Sequence, residues 1–125
     1  TGQTGPFNIE LEKVLAWDPD VIFLDYNGLD LIQEDYASNS EYYKQLTAVQ
    51  KGNIYSQISF RSYASNLDLA LADTYYAASV LYPEQFADID MKEKVSEIFE
   101  TLLGDDISEE LEEHGYEFGQ ITIGK

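Results

Sequence analysis

The chain has 125 residues, near the usual size of one domain, and 44% of them are hydrophobic, which supplies a core and excludes a disordered acidic tail. Against 24 Asp and Glu stand 7 Lys and Arg, a formal net charge of −17, which argues against binding DNA, RNA or an anionic membrane surface through a diffuse electrostatic face. The absence of cysteine excludes a disulfide framework and a thiolate site and leaves the compartment open, an extracytoplasmic one included.

Residues 1–7 read as a flexible start. Thr1-Gly2-Gln3-Thr4-Gly5-Pro6 has no initiator methionine, and neither a signal peptide nor a membrane-spanning run follows, so the expectation is a mature or excised piece without direct membrane insertion. Asn8 is placed to cap a short helix with Leu11, Val14 and Leu15 on one face, ending before Asp18-Pro19. Val21-Ile22-Phe23-Leu24 is a continuous apolar run of the kind found in a strand covered on both faces, as in a parallel sheet.

Tyr26-Asn27-Gly28 is then the loop at the carboxyl end of that strand, the edge on which open α/β sheets hold their ligands. Leu29 to Tyr36 begin a helix and Asn39 to Leu46 a second. Lys51-Gly52-Asn53 makes the turn into a strand over Ile54 to Ile58. Residues 67–82 are apolar over most of a helix's girth, which predicts an interior helix packed on the sheet, started by Asn66 and ended at Pro83.

Asp90 and Glu93 form a capping-box pattern ahead of Met91, Val95, Ile98, Phe99, Leu102 and Leu103, and Gly104 supplies the C-cap. Ser108 caps a further helix, anchored by Leu111 and ended by His114-Gly115. Residues 115–125 form a closing strand or a tail laid over the core. The order of elements gives the α/β class with a short, mostly parallel sheet, in one domain over residues 1–125. Two good strands are few for such a domain, so strands before Thr1 are expected, or completion by a partner.

No catalytic constellation emerges. His114 is solitary and reads as a helix-end residue on the C-terminal dipole. There is no nucleophile elbow, P-loop, dinucleotide fingerprint or HExxH, so catalysis is not expected. A divalent metal at Asp88, Asp90 and Glu93 is the weaker reading, because capping accounts for two of the three, and no metal site is assigned.

Arg61, the only arginine, lies in Ser59-Phe60-Arg61-Ser62-Tyr63-Ala64-Ser65-Asn66, between a strand and a long helix. A guanidinium beside hydroxyl, phenol and amide groups suits an anionic or oxygen-rich ligand; the competing reading is a surface charge that neutralises acidic neighbours. Ten tyrosines are present, and Tyr26 and Tyr63 stand apart because both fall in loops on the carboxyl edge. A phenol there can donate to a ligand oxygen, ligate a ferric ion or pack on a macrocycle.

The run from Asn8 to Asp25, with Ala16-Trp17-Asp18-Pro19-Asp20-Val21-Ile22 at its centre, resembles the helix, Pro-Asp and strand in the C-terminal lobe of ABC-transporter solute-binding proteins. The subgroup resembled joins its lobes by a long helix and carries iron-siderophore, haem or cobalamin. Lys51-Gly52-Asn53-Ile54-Tyr55, and Leu71-Ala72-Asp73-Thr74-Tyr75-Tyr76 continuing through Tyr82-Pro83-Glu84-Gln85-Phe86 to Asp90, are similar to later blocks of that lobe. The likeness runs from about Phe7 to Leu111.

The resemblance implies a partial C-terminal lobe, a three-layer sandwich of Rossmann-like type, whose cleft is shared with a missing N-terminal lobe. It implies uptake of an iron chelate or related metal complex without catalysis. Tyr26 and Asn27 fall on the first cleft loop, and Arg61, Ser62, Tyr63 and Asn66 on the second. The family's permease-docking glutamate corresponds to Glu12, for which a solvated helix position is the competing reading. No cofactor beyond a bound ferric siderophore, haem or cobalamin is implied, and the location is extracellular or periplasmic, lipid-anchored in the full-length protein. The alternative function is an acidic protein-interaction or structural domain without a small ligand.

Overall fold

The computed structural model describes residues 9–61 and 65–124. Helix α1 (Leu11–Trp17) leads to strand β1 (Ile22–Asp25), a short 3-10 turn (Tyr26–Gly28) and helix α2 (Leu29–Tyr43). Helix α3 (Thr47–Lys51) precedes strand β2 (Ile54–Gln57), and α4 (Leu67–Leu81), α5 (Met91–Leu103) and α6 (Ser108–Glu113) complete the order. The two strands pair in parallel with Ile22 opposite Ile54 and Asp25 opposite Gln57, so the molecule is mixed helix and strand around a two-stranded parallel sheet.

Local chemistry explains the boundaries. Helix α1 ends where Asp18 turns left-handed at φ 40°, and the Asp18 carboxylate accepts the Thr47 N–H and hydroxyl, each at 2.7 Å. Those two donors hold its pKa below the usual aspartate value and tie the end of α1 to the start of α3. Gly52 (φ 71°) and Gly104 (φ 80°) end α3 and α5 in the left-handed region that a side chain disfavours. Asp90 caps α5 by accepting the Lys92 and Glu93 N–H groups.

Several expectations shift. Asn8 lies outside the described residues, and the N-cap of α1 is Glu10, without a side-chain bond. The first strand starts and ends one residue later than the apolar run, and the second stops at Gln57. The two helices expected after Gly28 are one helix kinked at Asn39 (φ −126°), whose amide bonds back to the Asp35 carboxylate at 2.9 Å. Ser108 is not the cap of α6 but its first residue. Its N–H and hydroxyl both donate to Asp106, which is the true local acceptor. Asn66 does occupy the N-cap of α4, yet its side chain makes no capping bond.

Helix α4 departs most from expectation. Only Leu69, Ala72 and Asp73 are buried on it, while Leu67 is 73% exposed and Leu71, Leu81 and the following Tyr82 are also open. An apolar girth is buried only where a neighbour reaches it, and α5 covers one side alone.

Among the described residues, two apolar clusters form the core. Ile58, Leu69, Ala72, Val95, Ile98 and Phe99 join α4 and α5. Tyr43, Ile54 and Ile123, with Leu11, Ile22, Leu24, Ile32 and Val49 packed around them, join the sheet to α1, α2 and α3. Tyr55 packs edge-on to Tyr76 of α4 at 6.4 Å. The closing segment lies beside β2 as a single antiparallel bridge, Tyr55 to Gln120. The Ile121 N–H donates to the Ile54 carbonyl at 2.7 Å, and the Ser56 N–H to the Gly119 carbonyl at 2.9 Å.

Candidate functional site

Because β1 and β2 run parallel, their carboxyl ends bring residues 25–28 and 58–61 to one edge. A hydrogen-bonded unit joins them there. The Asp25 carboxylate accepts the Asn27 N–H at 2.9 Å and the Ser59 hydroxyl, and the Asn27 amide nitrogen donates to the Ser59 oxygen at 2.9 Å. From the closing segment the Tyr116 hydroxyl donates to the Asn27 side-chain oxygen at 3.0 Å. Its ring meets Tyr26 edge-on at 5.4 Å. Burial, assisted by the Glu117 charge, raises the Tyr26 pKa, so the phenol stays protonated and able to donate.

Beneath this unit lies Asp73, 5% exposed, whose carboxylate accepts the Ile58 N–H at 2.9 Å. That bond fixes the root of the second loop to α4. Burial pushes the Asp73 pKa up to about 6, with the Asp25 charge adding to the rise and the Ile58 N–H opposing it.

Arg61 is exposed, with its guanidinium carbon 5.7 Å from the centre of the Phe60 ring, and makes no ion pair among the described residues. It bridges to Ser65, and the Asn66 N–H closes the loop on the Phe60 carbonyl at 2.8 Å. Ser65 and Asn66 therefore lie beside Arg61 and Phe60 just ahead of α4.

Of the residues expected at the site, Tyr26 and Asn27 share the edge with Ser59, and the main chain joins Arg61 to them two residues further on. Ser62 and Tyr63 lie outside the described residues. Asn66 is exposed at the head of α4. The side-chain amide of Asn27 is engaged at both ends by Ser59 and Tyr116, so Asn27 acts as the brace of the edge. Glu12 is exposed in the first turn of α1, which suits both readings given above. His114 sits at the end of α6 with Nδ1 2.7 Å from the Glu110 carbonyl oxygen, a helix-end role.

Sequence reasoning missed Asp25, Ser59, Asp73 and Tyr116. Asp25-Tyr26-Asn27 carried a readable signal, since an aspartate accepting the N–H two residues on is a common turn device. Ser59 stood in the motif already singled out. Tyr116 gave no signal, being brought to Asn27 across 89 residues. Neither a protein-family model nor a curated protein matches the chain.

Proposed function

We propose that the chain is the ligand-binding lobe of a solute-binding protein that serves an ABC transporter, taking up an iron chelate or a related metal complex without chemistry. The reading is supported by the braced carboxyl edge: Asp25, Asn27, Ser59 and Tyr116 lock two loops together and leave Tyr26 and Arg61 at their rim. Such an edge can hold an oxygen-rich ligand with little reordering, which lowers the entropic cost of binding. On this reading the parallel pair, with helices packed against it, belongs to a three-layer, Rossmann-like lobe.

The exposed guanidinium supplies a charge-assisted donor for a carboxylate or catecholate oxygen, and the protonated Tyr26 hydroxyl a neutral one. Asp25 and Glu117 disfavour an anion placed deep on the edge, so the ligand's negative group is held outward, at Arg61. A second lobe closes the cleft, and Glu12 on α1 belongs to the surface offered to the permease. The location is extracellular or periplasmic, with a lipid anchor on the full-length protein.

Calorimetric titration with ferric siderophores, haem and cobalamin tests the reading. One of these binds with a dissociation constant weaker than micromolar, because one lobe offers half of the contacts. Sub-micromolar affinity for the chain alone contradicts the half-site, and no heat from any of them at millimolar concentration removes the function.

A further inference from the structure

A concavity lies between α5, α6 and the segment 116–118, and it reaches Ile58 at the root of the Arg61 loop. It encloses about 260 Å³. Its lining includes Tyr76, Met91, Leu111 and Phe118 over the buried Val95 and Phe99, so much of the interior is apolar. Helix α6 forms one side, and it has no buried residue of its own. Two polar ties hold it to α5: Lys92 to Glu112 at 3.3 Å, and Ser96 to Ser108 at 3.4 Å.

The mouth has a definite sign. Asp106, Glu109, Glu112 and Glu117 stand around it against Lys92 alone, and Lys92 is already paired with Glu112. Glu109 and Glu117 make no ion pair among the described residues. The Ser108 hydroxyl and N–H, with Ser96, hold the Asp106 carboxyl below the usual aspartate range, so it is ionised at neutral pH. An apolar chamber of this size holds roughly 10 to 12 non-hydrogen atoms, and its rim leaves three carboxylates in excess.

From this we infer a second binding site, one that takes a small amphiphilic cation: an aryl or alkyl group seated between Met91, Leu111 and Phe118, above the buried Val95 and Phe99, with its ammonium held at the mouth by Glu109, Glu112 and Glu117. Shape selects the apolar body, and the carboxylates select the charge. An anion of the same shape meets repulsion at the rim, and a neutral analogue loses the charge-assisted bonds. The chamber borders the edge, since Tyr116 lines it and Glu117 also acts on Tyr26, but the inference does not rest on the edge reading: it rests on the cavity and on Glu109 and Glu112, which take no part there.

The test is titration of the whole chain at 150 mM salt with 3-phenylpropylammonium, 3-phenylpropanol and 3-phenylpropionate, read by amide chemical-shift mapping. The ammonium saturates with a dissociation constant on the order of 0.1–1 mM and shifts the amides of Val95, Ser96, Phe99 and Leu111. It binds at least tenfold tighter than the propionate. Ser96→Leu, which fills the chamber, abolishes binding of both the ammonium and the alcohol. Glu109→Gln combined with Glu112→Gln and Glu117→Gln keeps alcohol binding and reduces the preference for ammonium over alcohol at least fivefold.

The net charge of −17 draws cations to the whole surface, so location decides. Shifts scattered over the chain, equal affinity for ammonium and propionate, or a preference for ammonium that survives the triple substitution would each overturn the site. The triple variant keeps the test decisive if Ser96→Leu does not fold.

Discussion

Asp73 offers a pH experiment whose size follows from its surroundings. Its carboxyl is buried under the Ile58–Arg61 loop and titrates at about 6, against an ordinary aspartate value of 3.8. About two pKa units at about 1.4 kcal/mol each make the ionised form cost about 3 kcal/mol in the folded state. The sign is fixed by proton counting. Between pH 4 and 6 the folded chain binds more protons at this site than the unfolded chain, so its stabilising contribution is full below 3.8 and lost as pH rises through about 6.

Asp73→Asn keeps a side-chain oxygen for the Ile58 N–H and removes the ionisation. The variant is therefore more stable than the parent by about 3 kcal/mol at pH 7.5 and by about 1 kcal/mol at pH 4.5. Urea melts of both proteins at the two pH values measure this directly, and shifts common to every other carboxylate cancel in the comparison. A difference independent of pH, or a variant less stable than the parent at pH 7.5, would falsify the assignment of Asp73 as a buried carboxyl that resists ionisation.

Three further substitutions probe the fold and the edge. Ser59→Ala removes the hydroxyl shared by Asp25 and Asn27, costs about 1 kcal/mol and speeds hydrogen exchange at the Asn27 amide; unchanged exchange would mean that the brace is not formed in solution. Phe99→Ala empties the centre of the α4–α5 cluster, where Phe99 is fully buried, and costs about 3–5 kcal/mol in a denaturant melt; a loss under 1 kcal/mol would move the core elsewhere. Gly104→Ala forces a side chain into φ 80° at the end of α5 and lowers stability by about 1 kcal/mol, although no atom stands in its way; no loss would show that the backbone there is not left-handed.

Local signals were legible because they act within a few residues. The apolar run ahead of Asp25, the turn at Gly52, the Asp90 cap and the Gly104 terminator all needed only neighbouring chemistry. The break expected between Tyr36 and Asn39 survives as a kink, since Asn39 finds an acceptor in Asp35 without ending the helix. What escaped depended on distant partners. The exposure of Leu67 and Leu81 follows from which elements reach α4, something no pattern within α4 records. The edge was readable as a location, through Tyr26 and Arg61. Its bracing was not, because Asp25, Ser59 and Tyr116 meet only after β1, β2 and the closing segment are aligned.

On the function proposed above, the carboxyl edge of β1 and β2 receives a metal chelate. Amide chemical-shift mapping with a gallium(III) siderophore, a diamagnetic stand-in for the ferric complex, tests it most directly, run on the parent chain and on Arg61→Ala. The expected shifts concentrate at Tyr26, Asn27, Ser59, Phe60 and Arg61, and the dissociation constant is about 10- to 150-fold weaker in the variant, equivalent to about 1.5–3 kcal/mol. Shifts confined to other surfaces, or the same constant for both proteins, would contradict it.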